Sequence, residues 1–426
     1  MRLGSRQRLR EAAAPVVSAC ALLWRRLMFR TTFIAISGSV GKSTAAACLG
    51  TILSSHTTTN WLAGAQNNRF VLARTILRTR FRHRFTVIEV GTKSPGALRR
   101  AAWMIAPDIV VMLAVRNVHS NVFPTLEGMA AEKAQLLSRL GKPGVAILNA
   151  DDPSVMAMRA GCRGPVRTFG SAAGSFLTAS EVSSRWPGRL RFRAHHGEES
   201  AWVQTNLVGE HMVHSVLGAL AAAVFCGVPL ARAAASLSDV QPIPGRMQPM
   251  VLPNGVTVLR DDFNATLPTF EAALAVLRDA QVPRRILIAG DLLDTGQSVR
   301  ARARHVGQMA ATAADIVIFV GDRARLFANA AIEAGCTSAF SFHTARETAD
   351  FLKTMLRADD LVLLKCWVGR HIERIILAQL GSISCWVIRC QKPMQCDRCP
   401  ELKLVSIEPG GGLFVRHHGD LSQTSA

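Results

Sequence analysis

From residue 31 onward, short apolar runs alternate with longer stretches in which apolar residues recur every three or four positions. Short apolar runs bounded by turn residues predict buried strands, and the longer periodic stretches predict helices. This alternation is typical of an α/β fold with a largely parallel sheet. The predicted strands of the first part are FIAIS (33–37), FTVIEV (85–90), DIVVMLAV (108–115) and GVAILN (144–149).

Helices are predicted between and after these strands, at TAAACLGTIL (44–53), LEGMAAEKAQLLSRL (126–140) and HMVHSVLGALAAAVFCG (211–227). The stretch 163–208 is rich in Gly, Ser and Arg, and we predict that it is irregular. The segment PIPGRMQP (242–249) predicts a linker, because its prolines and glycine interrupt both periodicities.

A second α/β pattern follows the linker, with predicted strands VTVLRDD (256–262), RRILIAGD (284–291), DIVIFVGD (315–322) and DLVLLK (360–365). We therefore predict four segments. They are a basic and apolar helix (1–30), a central α/β domain with a mostly parallel sheet (31–240), a smaller Rossmann-like α/β domain (241–382) and a cysteine-containing, partly disordered tail (383–426).

The charge of the chain is strongly positive, at +20, and 42 of its 50 basic residues are arginines. This bias favours compositional drift on a solvated surface, but it can also attract anionic substrates or a membrane surface. Basic residues interleaved with aromatic ones, which are typical of nucleic-acid binding, are not evident. We therefore expect no nucleic-acid partner.

The N-terminal segment places 13 largely apolar residues, AAAPVVSACALLW, between basic flanks. A membrane-spanning helix needs about 20 such residues, and no signal-peptide cleavage site follows. The segment predicts a helix packed on the next domain, or a basic amphipathic helix (8–30) lying on the inner membrane surface. Six scattered cysteines suit reduced core thiols, so we expect a cytoplasmic protein.

The motif GSVGKST (38–44) lies between the first predicted strand and the first predicted helix, which is the setting of a phosphate-binding loop. Glycines allow backbone N–H groups to surround a phosphate, and the helix N-terminus adds its dipole. In such a loop Lys42 pairs with the β- and γ-phosphates, and the hydroxyl of Ser43 is a ligand of Mg²⁺. The predicted nucleotide-binding residues are Gly38, Ser39, Gly41, Lys42, Ser43 and Thr44.

The short GxxGK[ST][ST] form of this loop resembles that of the Mur ligases, and most closely the MurF branch of that family. Other blocks that are similar to family motifs follow in order over residues 31–382. They are FTVIEVGTKSPGAL (85–98), AVRNVHSNVFPTLEGMAAEKAQLL (114–137), ILNADDP (147–153), GRM (245–247), DDFNATLPTF (261–270), GDLLDTG (290–296) and LLK (363–365).

The resemblance implies an ATP- and Mg²⁺-dependent ligase of peptidoglycan synthesis, which joins a small-molecule or peptide carboxylate to an amine through an acyl phosphate. It implies that Ser43, Glu89 and His119 are Mg²⁺ ligands and that Lys133 is carbamylated to bind a second Mg²⁺. The catalytic set is then Lys42, His119 and Lys133. Two domains are expected to close over ATP and exclude water.

The resemblance also extends the expected nucleotide site into the second domain. Arg246, Asp262 and Lys365 match residues that reach ATP, with Asp262 directed at the ribose. His211 remains from a motif whose two asparagines hold adenine; here Met212 and Ser215 replace them. Further positions that match family motifs are Asn67 and Asn68, near the substrate loop, and Asn149, Asp151 and Asp152, which orient the γ-phosphate surroundings or cap the next helix.

Departures from the family motifs leave the substrate open. MurF enzymes carry an N-terminal UDP-sugar-binding domain, whereas 37 residues precede the loop here, so we expect that domain to be lacking. Cys366 and Trp367 replace a Gly-Ser pair, and Phe263 replaces a Tyr. Alternatives are a ligase for a different acid, similar to the polyamino-acid synthetases, and a non-catalytic nucleotide-binding partner protein.

The tail has four cysteines, Cys385, Cys390, Cys396 and Cys399, in the spacing C-x4-C-x5-C-x2-C. The C-x2-C half is typical of zinc knuckles, whereas the other half is irregular. We predict either a structural zinc site formed by these four residues or a set of reduced cysteines in a loose tail.

Overall fold

The computed structural model of the chain describes residues 5–62, 69–92, 94–118, 121–141, 144–293, 297–392, 394–407 and 413–415. The chain forms two compact units. Unit 1 comprises residues 1–184 and 189–241, and unit 2 comprises residues 185–188 and 242–426.

Unit 1 is built on a nine-stranded sheet in the order β2-β3-β1-β4-β5-β6-β7-β8-β9. Neighbouring strands are parallel from β2 to β7, and β7, β8 and β9 are antiparallel. The strands are β1 (Thr32–Ser37), β2 (Thr59–Asn60), β3 (Phe85–Glu89), β4 (Ile109–Met112), β5 (Val145–Asn149), β6 (Val166–Gly170), β7 (Leu177–Ser183), β8 (Arg191–His196) and β9 (Glu199–Gln204).

The helices of unit 1 are α1 (Ser5–Leu27), α2 (Lys42–His56), α3 (Arg69–Arg78), α4 (Ala97–Ile105), α5 (Leu126–Ala134), α6 (Pro153–Ala157), α7 (Val213–Phe225) and α8 (Leu230–Ala235). All residues of β3, β4 and β5 are buried. Strands covered on both faces need continuous apolar runs, so these segments are recognisable from sequence. The predicted mostly parallel α/β architecture is confirmed.

The prediction that the stretch 163–208 is irregular is wrong, because this stretch contains β6, β7, β8 and β9. Phe192 and Ala194 of β8 are buried, and they alternate with the exposed residues Arg191 and Arg193. An antiparallel strand with one solvated face needs only half of its positions to be apolar. The apolar pattern that predicts a strand was therefore interrupted by arginine, serine and glycine.

Helix α1 packs on unit 1 along α3 and α4. The guanidinium of Arg25 donates to the carbonyl oxygens of Ile105 and Ala106, at 2.7 and 2.8 Å, and forms an ion pair with Asp108. Ala21 and Met28, on and just beyond α1, are fully buried. The expected packed helix is thus present, and in the described part of the chain no helix is long and apolar enough to cross a membrane.

Unit 2 contains a six-stranded sheet in the order β10-β11-β15-β12-β13-β14, parallel except for the β10–β11 pair. Its strands are β10 (Gln248–Val251), β11 (Thr257–Asp261), β12 (Arg284–Ala289), β13 (Ile316–Val320), β14 (Ala339–Phe342) and β15 (Asp360–Lys365), and β16 (Val405–Ile407) pairs with β17 (Leu413–Val415) apart from it. Its helices are α9 (Leu267–Arg278), α10 (Val299–Ala313), α11 (Ala324–Glu333), α12 (Ala345–Met355) and α13 (Arg374–Leu380).

The first part of the tail packs on unit 2. Ile383, Cys396, Leu402 and Leu404 are buried in one apolar cluster with Leu377 of α13. Residues 383–392 and 394–405 therefore belong to the folded unit rather than to a loose extension.

Candidate active site

The phosphate loop lies at the point where the order of the unit 1 sheet reverses. β1 is flanked by β3 on one side and β4 on the other, so the chain leaves β1 toward one edge of the sheet and returns to the other. In parallel α/β sheets, ligands bind beyond the carboxyl ends of the strands at such a switch point. The loop 38–41 connects β1 to α2 at this location.

Two loop glycines are required by the local backbone. Gly38 has a φ of 157°, and a Cβ there would lie 3.2 Å from the backbone nitrogen of Ala114. Gly41 is the N-cap of α2 in the left-handed conformation, with a φ of 81°. The first N–H groups of α2 lack partners within the helix, so this end of α2 offers the donors and the dipole that bind a phosphate.

The loop is held in this form by hydrogen bonds to the segment that follows β4. The N–H of Ser39 donates to the carbonyl of Ala114 at 2.7 Å, and its hydroxyl donates to the carbonyl of Arg116 at 3.0 Å. The ammonium of Lys42 donates to the carbonyl oxygens of Gly38 and Ser39, at 2.9 and 3.3 Å. Lys42 thus lies over the concave side of the loop, where a phosphate group would bind.

Ser43 and Glu89 form a buried pair at the same edge of the sheet. The hydroxyl of Ser43, in the first turn of α2, donates to Oε2 of Glu89 at 2.8 Å. Glu89 is the last residue of β3, the neighbour of β1. A hydroxyl and a carboxylate are hard oxygen donors of the kind that Mg²⁺ prefers. The two residues that the resemblance implies as Mg²⁺ ligands therefore lie in contact, and their oxygens suit a magnesium ion.

Lys133, on α5, is only 2% exposed. Burial and the nearby positive charge of Lys42 lower the pKa of Lys133 to about 7, although Glu132 opposes the shift. The carboxylate of Glu132 is already engaged, because it accepts hydrogen bonds from the N–H groups of Gly96 and Leu98 at 2.8 and 2.9 Å. Lys133 is therefore a buried amine with a substantial uncharged fraction near pH 7, within electrostatic reach of Lys42 in the phosphate loop.

Residues at and after the end of β5 form hydrogen bonds with the segment that follows β4, beside the phosphate loop. Asn149 donates to the carbonyl of Leu113 at 2.6 Å, and its amide oxygen accepts from the N–H of Asp151 at 3.0 Å. Asp152 is the N-cap of α6 and also accepts from the N–H of Val115 at 2.9 Å. The helix-capping alternative is thus confirmed for Asp152. Asp151 accepts from Ser171 and lies 3.0 Å from a ring nitrogen of His214.

The start of α7 also lies against the phosphate loop. The hydroxyl of Thr44 is 3.9 Å from the sulfur of Met212, and the position of a Cβ on Gly41 is 2.3 Å from the hydroxyl oxygen of Ser215. His211 is exposed, in a short 3₁₀ turn that precedes α7. The two residues that replace the family asparagines therefore remain beside the loop, but they offer a thioether and a hydroxyl.

In unit 2, the predicted residues gather at the carboxyl ends of adjacent parallel strands. Lys365 at the end of β15 is paired in register with Asp261 at the end of β11. Its buried ammonium forms a short ion pair with Asp261 and donates to the carbonyl of Asn264 at 2.8 Å. The guanidinium of Arg246 lies 4.7 Å from the centre of the Phe263 ring, so Phe263 supports Arg246 by a cation–π contact.

Asp262 is held in an interaction that the sequence reasoning missed. It is fully buried, and its Oδ2 accepts from Arg260 at 2.9 Å; Arg260 also donates to Asp397 of the tail at 3.1 Å. Burial raises the pKa of Asp262, although Arg260 opposes the shift. The arginine inside the apolar run VTVLRDD could have indicated this ion pair, because a charged residue on a buried strand needs a partner of opposite charge.

Three predicted residues lie outside the part of the chain that the structure describes, namely His119, Asn67 and Asn68. The four-cysteine zinc site is not supported. Among the described residues, the one group of three potential metal ligands with ligand atoms within 4.8 Å of one another is His371, Glu373 and Cys396. Cys385, Cys390 and Cys399 do not join Cys396 in this group, although Cys390 is close enough to act electrostatically on Cys396.

Comparison with known families matches both units. Residues 36–223 match the model of the Mur ligase middle domain, and residues 245–366 match that of the Mur ligase glutamate ligase domain. The UDP-N-acetylmuramoyl-tripeptide–D-alanyl-D-alanine ligase of Escherichia coli (strain K12) is 29% identical over 368 residues, which are 85% of this chain and 80% of that protein.

Solved structures agree with this fold. A MurF from Acinetobacter baumannii superposes with a TM-score of 0.77 at 24% identity, covering 86% of this chain and 80% of that one. The MurF ligase of Thermotoga maritima in complex with ADP has a TM-score of 0.75 at 18% identity and covers 85% and 82% of the two chains. At these identities the superpositions establish the fold alone.

Proposed function

The chain belongs to the Mur ligase family, and from this premise we propose that it is a MurF-like, ATP-dependent ligase that forms an amide bond in peptidoglycan synthesis. The observation that carries the proposal is the group formed by Lys42, the Ser43–Glu89 pair and the buried amine of Lys133. A protein that only bound nucleotide would have no need for a buried lysine whose pKa is lowered by burial and by the charge of Lys42.

The proposed reaction has two steps. An oxygen of the acid's carboxylate attacks the γ-phosphorus of ATP, the bond to the β-phosphate oxygen breaks, and an acyl phosphate and ADP result. The amine then attacks the acyl carbon, loses a proton and expels inorganic phosphate through a tetrahedral intermediate. Lys42 offsets the negative charge that accumulates on the transferred phosphoryl group, because its ammonium lies over the loop that binds the phosphates.

Ser43 and Glu89 would hold Mg²⁺, which when bound supplies positive charge between the crowded phosphate oxygens. Their oxygens lie 2.8 Å apart and are buried, so they are preorganised as a pair. Arg246, Asp262 and Lys365 stay proposed nucleotide contacts. Among them, Arg246 is half-buried, whereas Asp262 and Lys365 are buried.

Lys133 is proposed to carry a carbamate. An uncharged lysine amine attacks carbon dioxide, forms a nitrogen–carbon bond and releases one proton, and the product is an anion. A pKa of about 7 makes the uncharged amine available under neutral conditions. The conversion also replaces repulsion between Lys133 and Lys42 with attraction, which favours the carbamate electrostatically.

The relatives' names indicate the substrates to test first, UDP-N-acetylmuramoyl-tripeptide and D-alanyl-D-alanine. We propose that this chain joins the same pair. The test is phosphate release from Mg-ATP with both substrates, with each alone, and with a panel of free amino acids and polyamino acids. Release that requires both named substrates supports the proposal. Release with another acid–amine pair would retain the ligase chemistry but refute this substrate pair, and ATP binding without any release would favour a non-catalytic protein.

A further inference from the structure

A buried polar cluster joins the residues after β15 to the tail. Its members are Arg260, Asp262, His371, Glu373, Cys396 and Asp397. The side chains of His371 and Glu373 are each 1% exposed. Neither residue belongs to the proposed ligase chemistry, so their burial together needs a separate explanation.

The atoms of three members are spaced like the ligands of one metal ion. Nδ1 of His371 lies 3.4 Å from Oε1 of Glu373 and 3.6 Å from Sγ of Cys396. Bond lengths of about 2.0 Å for nitrogen and oxygen and about 2.3 Å for sulfur, at tetrahedral angles, give edges of about 3.3 Å and about 3.5 Å, each within about 0.1 Å of the observed separation. A nitrogen–oxygen separation of 3.4 Å is, in contrast, long for a direct hydrogen bond.

The same residues carry buried polar atoms without partners. Nε2 of His371 and Oε2 of Glu373 have no hydrogen-bond partner in the part of the chain that the structure describes. Nearby, Oδ1 of Asp262 and Oδ1 of Asp397 are in the same condition. Buried polar atoms in native proteins nearly always have partners, so several together indicate a missing ion or water.

The charges of the cluster are also incomplete. Arg260 donates to two carboxylates, Asp262 and Asp397. Arg374 uses its guanidinium on the carbonyl oxygens of His371 and Cys385. Within the described residues, no arginine or lysine donates to Glu373, whose Oε1 accepts from the N–H of Cys396 at 2.8 Å and lies 3.4 Å from Nδ1 of His371. Arg260 attracts Glu373 electrostatically, but this one guanidinium is shared with Asp262 and Asp397, so a bound cation would offset the remaining cost of burying the Glu373 carboxylate.

We propose that His371, Glu373 and Cys396 bind one divalent transition-metal ion of the zinc class, with a water molecule as the fourth ligand. Imidazole, carboxylate and thiolate together suit zinc or cobalt better than magnesium or calcium. The ion fastens the tail to unit 2, because Cys396 comes from the tail whereas His371 and Glu373 precede α13. This site differs from a four-cysteine site because two of its three protein ligands, His371 and Glu373, are not cysteines.

The experiment uses the full-length chain, reduced and stripped of metal, titrated with Co²⁺. Tetrahedral Co²⁺ bound to a thiolate gives a sulfur-to-cobalt charge-transfer band and visible d–d bands. We expect one Co²⁺ per chain, displaced by Zn²⁺. Cys396→Ser removes the charge-transfer band, and Glu373→Gln weakens Co²⁺ binding by at least roughly tenfold while an oxygen remains to accept from the N–H of Cys396.

Cys399→Ser is the matched control, because Cys399 is a buried tail cysteine three positions away that is outside the proposed ligand set. This variant retains the cobalt spectrum. Loss of the band in Cys399→Ser to the same extent as in Cys396→Ser would overturn the assignment in favour of a cysteine-rich site. Absence of any band in the wild-type chain would refute the metal site and leave a buried water as the missing partner. If Glu373→Gln does not fold by circular dichroism, the two cysteine variants still decide.

Discussion

A Cβ on Gly41 would lie 2.3 Å from the hydroxyl oxygen of Ser215, so the phosphate loop and the first turns of α7 touch without space for a methyl group. The two elements are separated by more than 170 residues of sequence. The shape of the proposed nucleotide site therefore depends both on the phosphate loop and on the start of α7, where Met212 and Ser215 replace the two family asparagines.

Replacement of Gly41 by alanine should impair both folding and nucleotide binding. The left-handed φ of 81° costs about 1–2 kcal/mol for alanine, and the contact with Ser215 adds to it. Gly227→Ala is the control, because it has a similar φ of 89° with nothing within 4 Å of its Cβ. Urea unfolding and ATP titration should show a small stability loss for Gly227→Ala with ATP affinity intact. Equal effects of the two variants would contradict the role of the contact.

Lys42→Ala should lower the rate of phosphate release by about 10²–10³-fold, since removal of a preorganised charge at a phosphoryl group has effects of this order. Lys353→Ala provides the comparison, because Lys353 is exposed and pairs only with its neighbour Asp350 on α12. Release is measured at saturating ATP with both substrates. A Lys42→Ala enzyme that keeps the wild-type rate would remove Lys42 from the mechanism.

Lys133→Ala should lose activity that acetate or propionate partly restores, because a small carboxylate can occupy the place of the carbamate. Lys133→Arg keeps the positive charge but cannot form a stable carbamate, so we expect it to be inactive and not rescued. Phosphate release is measured with increasing concentrations of the added acid. Equal rescue of the two variants, or full activity of Lys133→Arg, would contradict carbamylation.

The stability of the protein should depend on pH through Lys133. Its pKa is about 7 in the folded chain and 10.5 when exposed, so between these values the unfolded chain binds more protons and stability rises with pH. Below pH 7 the full cost of burying this amine remains, on the order of a few kcal/mol. In CO₂-free buffer, Lys133→Met should therefore be more stable than the wild type at pH 6.5, and the difference should shrink toward pH 10. A difference that does not vary with pH would refute the buried, neutral amine.

Lys365→Met should destabilise unit 2 by about 3 kcal/mol, because it leaves Asp261 without its buried partner. The double variant Lys365→Met/Asp261→Leu removes both charges and should recover most of that loss. Urea denaturation measures the recovery, and phosphate release is assayed in parallel. If Lys365 contacts the nucleotide, activity stays low in the double variant, whereas recovery of activity would assign Lys365 a structural role alone.

The sequence predicted those parts of the fold in which one run of residues carries the whole signal. The buried parallel strands are examples, because β3 and β5 are buried throughout and mostly apolar, and each is followed by a recognisable motif. The resemblance to the family implied that Ser43 and Glu89 bind one Mg²⁺ ion, and the two side chains lie in contact because β1 and β3 are adjacent parallel strands. β8 was missed because half of its residues face solvent.

Interactions between distant segments could not be predicted in the same way. Arg260 and Asp397 are 137 positions apart, and no spacing rule connects them. The tail cysteines illustrate the opposite error, in which a local C-x2-C spacing suggested a four-cysteine ligand set that the fold does not form. Cys396 faces His371 and Glu373 instead, because residues 383–392 and 394–405 pack on α13.

The packing of α1 has a practical consequence for recombinant work. The family match begins at residue 36, yet Ala21 and Met28 lie in the core and Arg25 fastens the end of α4 to β4. A shortened version that starts at the matched boundary would expose the apolar surface that α1 covers, and aggregation during expression would be expected. Domain dissection of this protein should therefore keep residues 14–30 with unit 1.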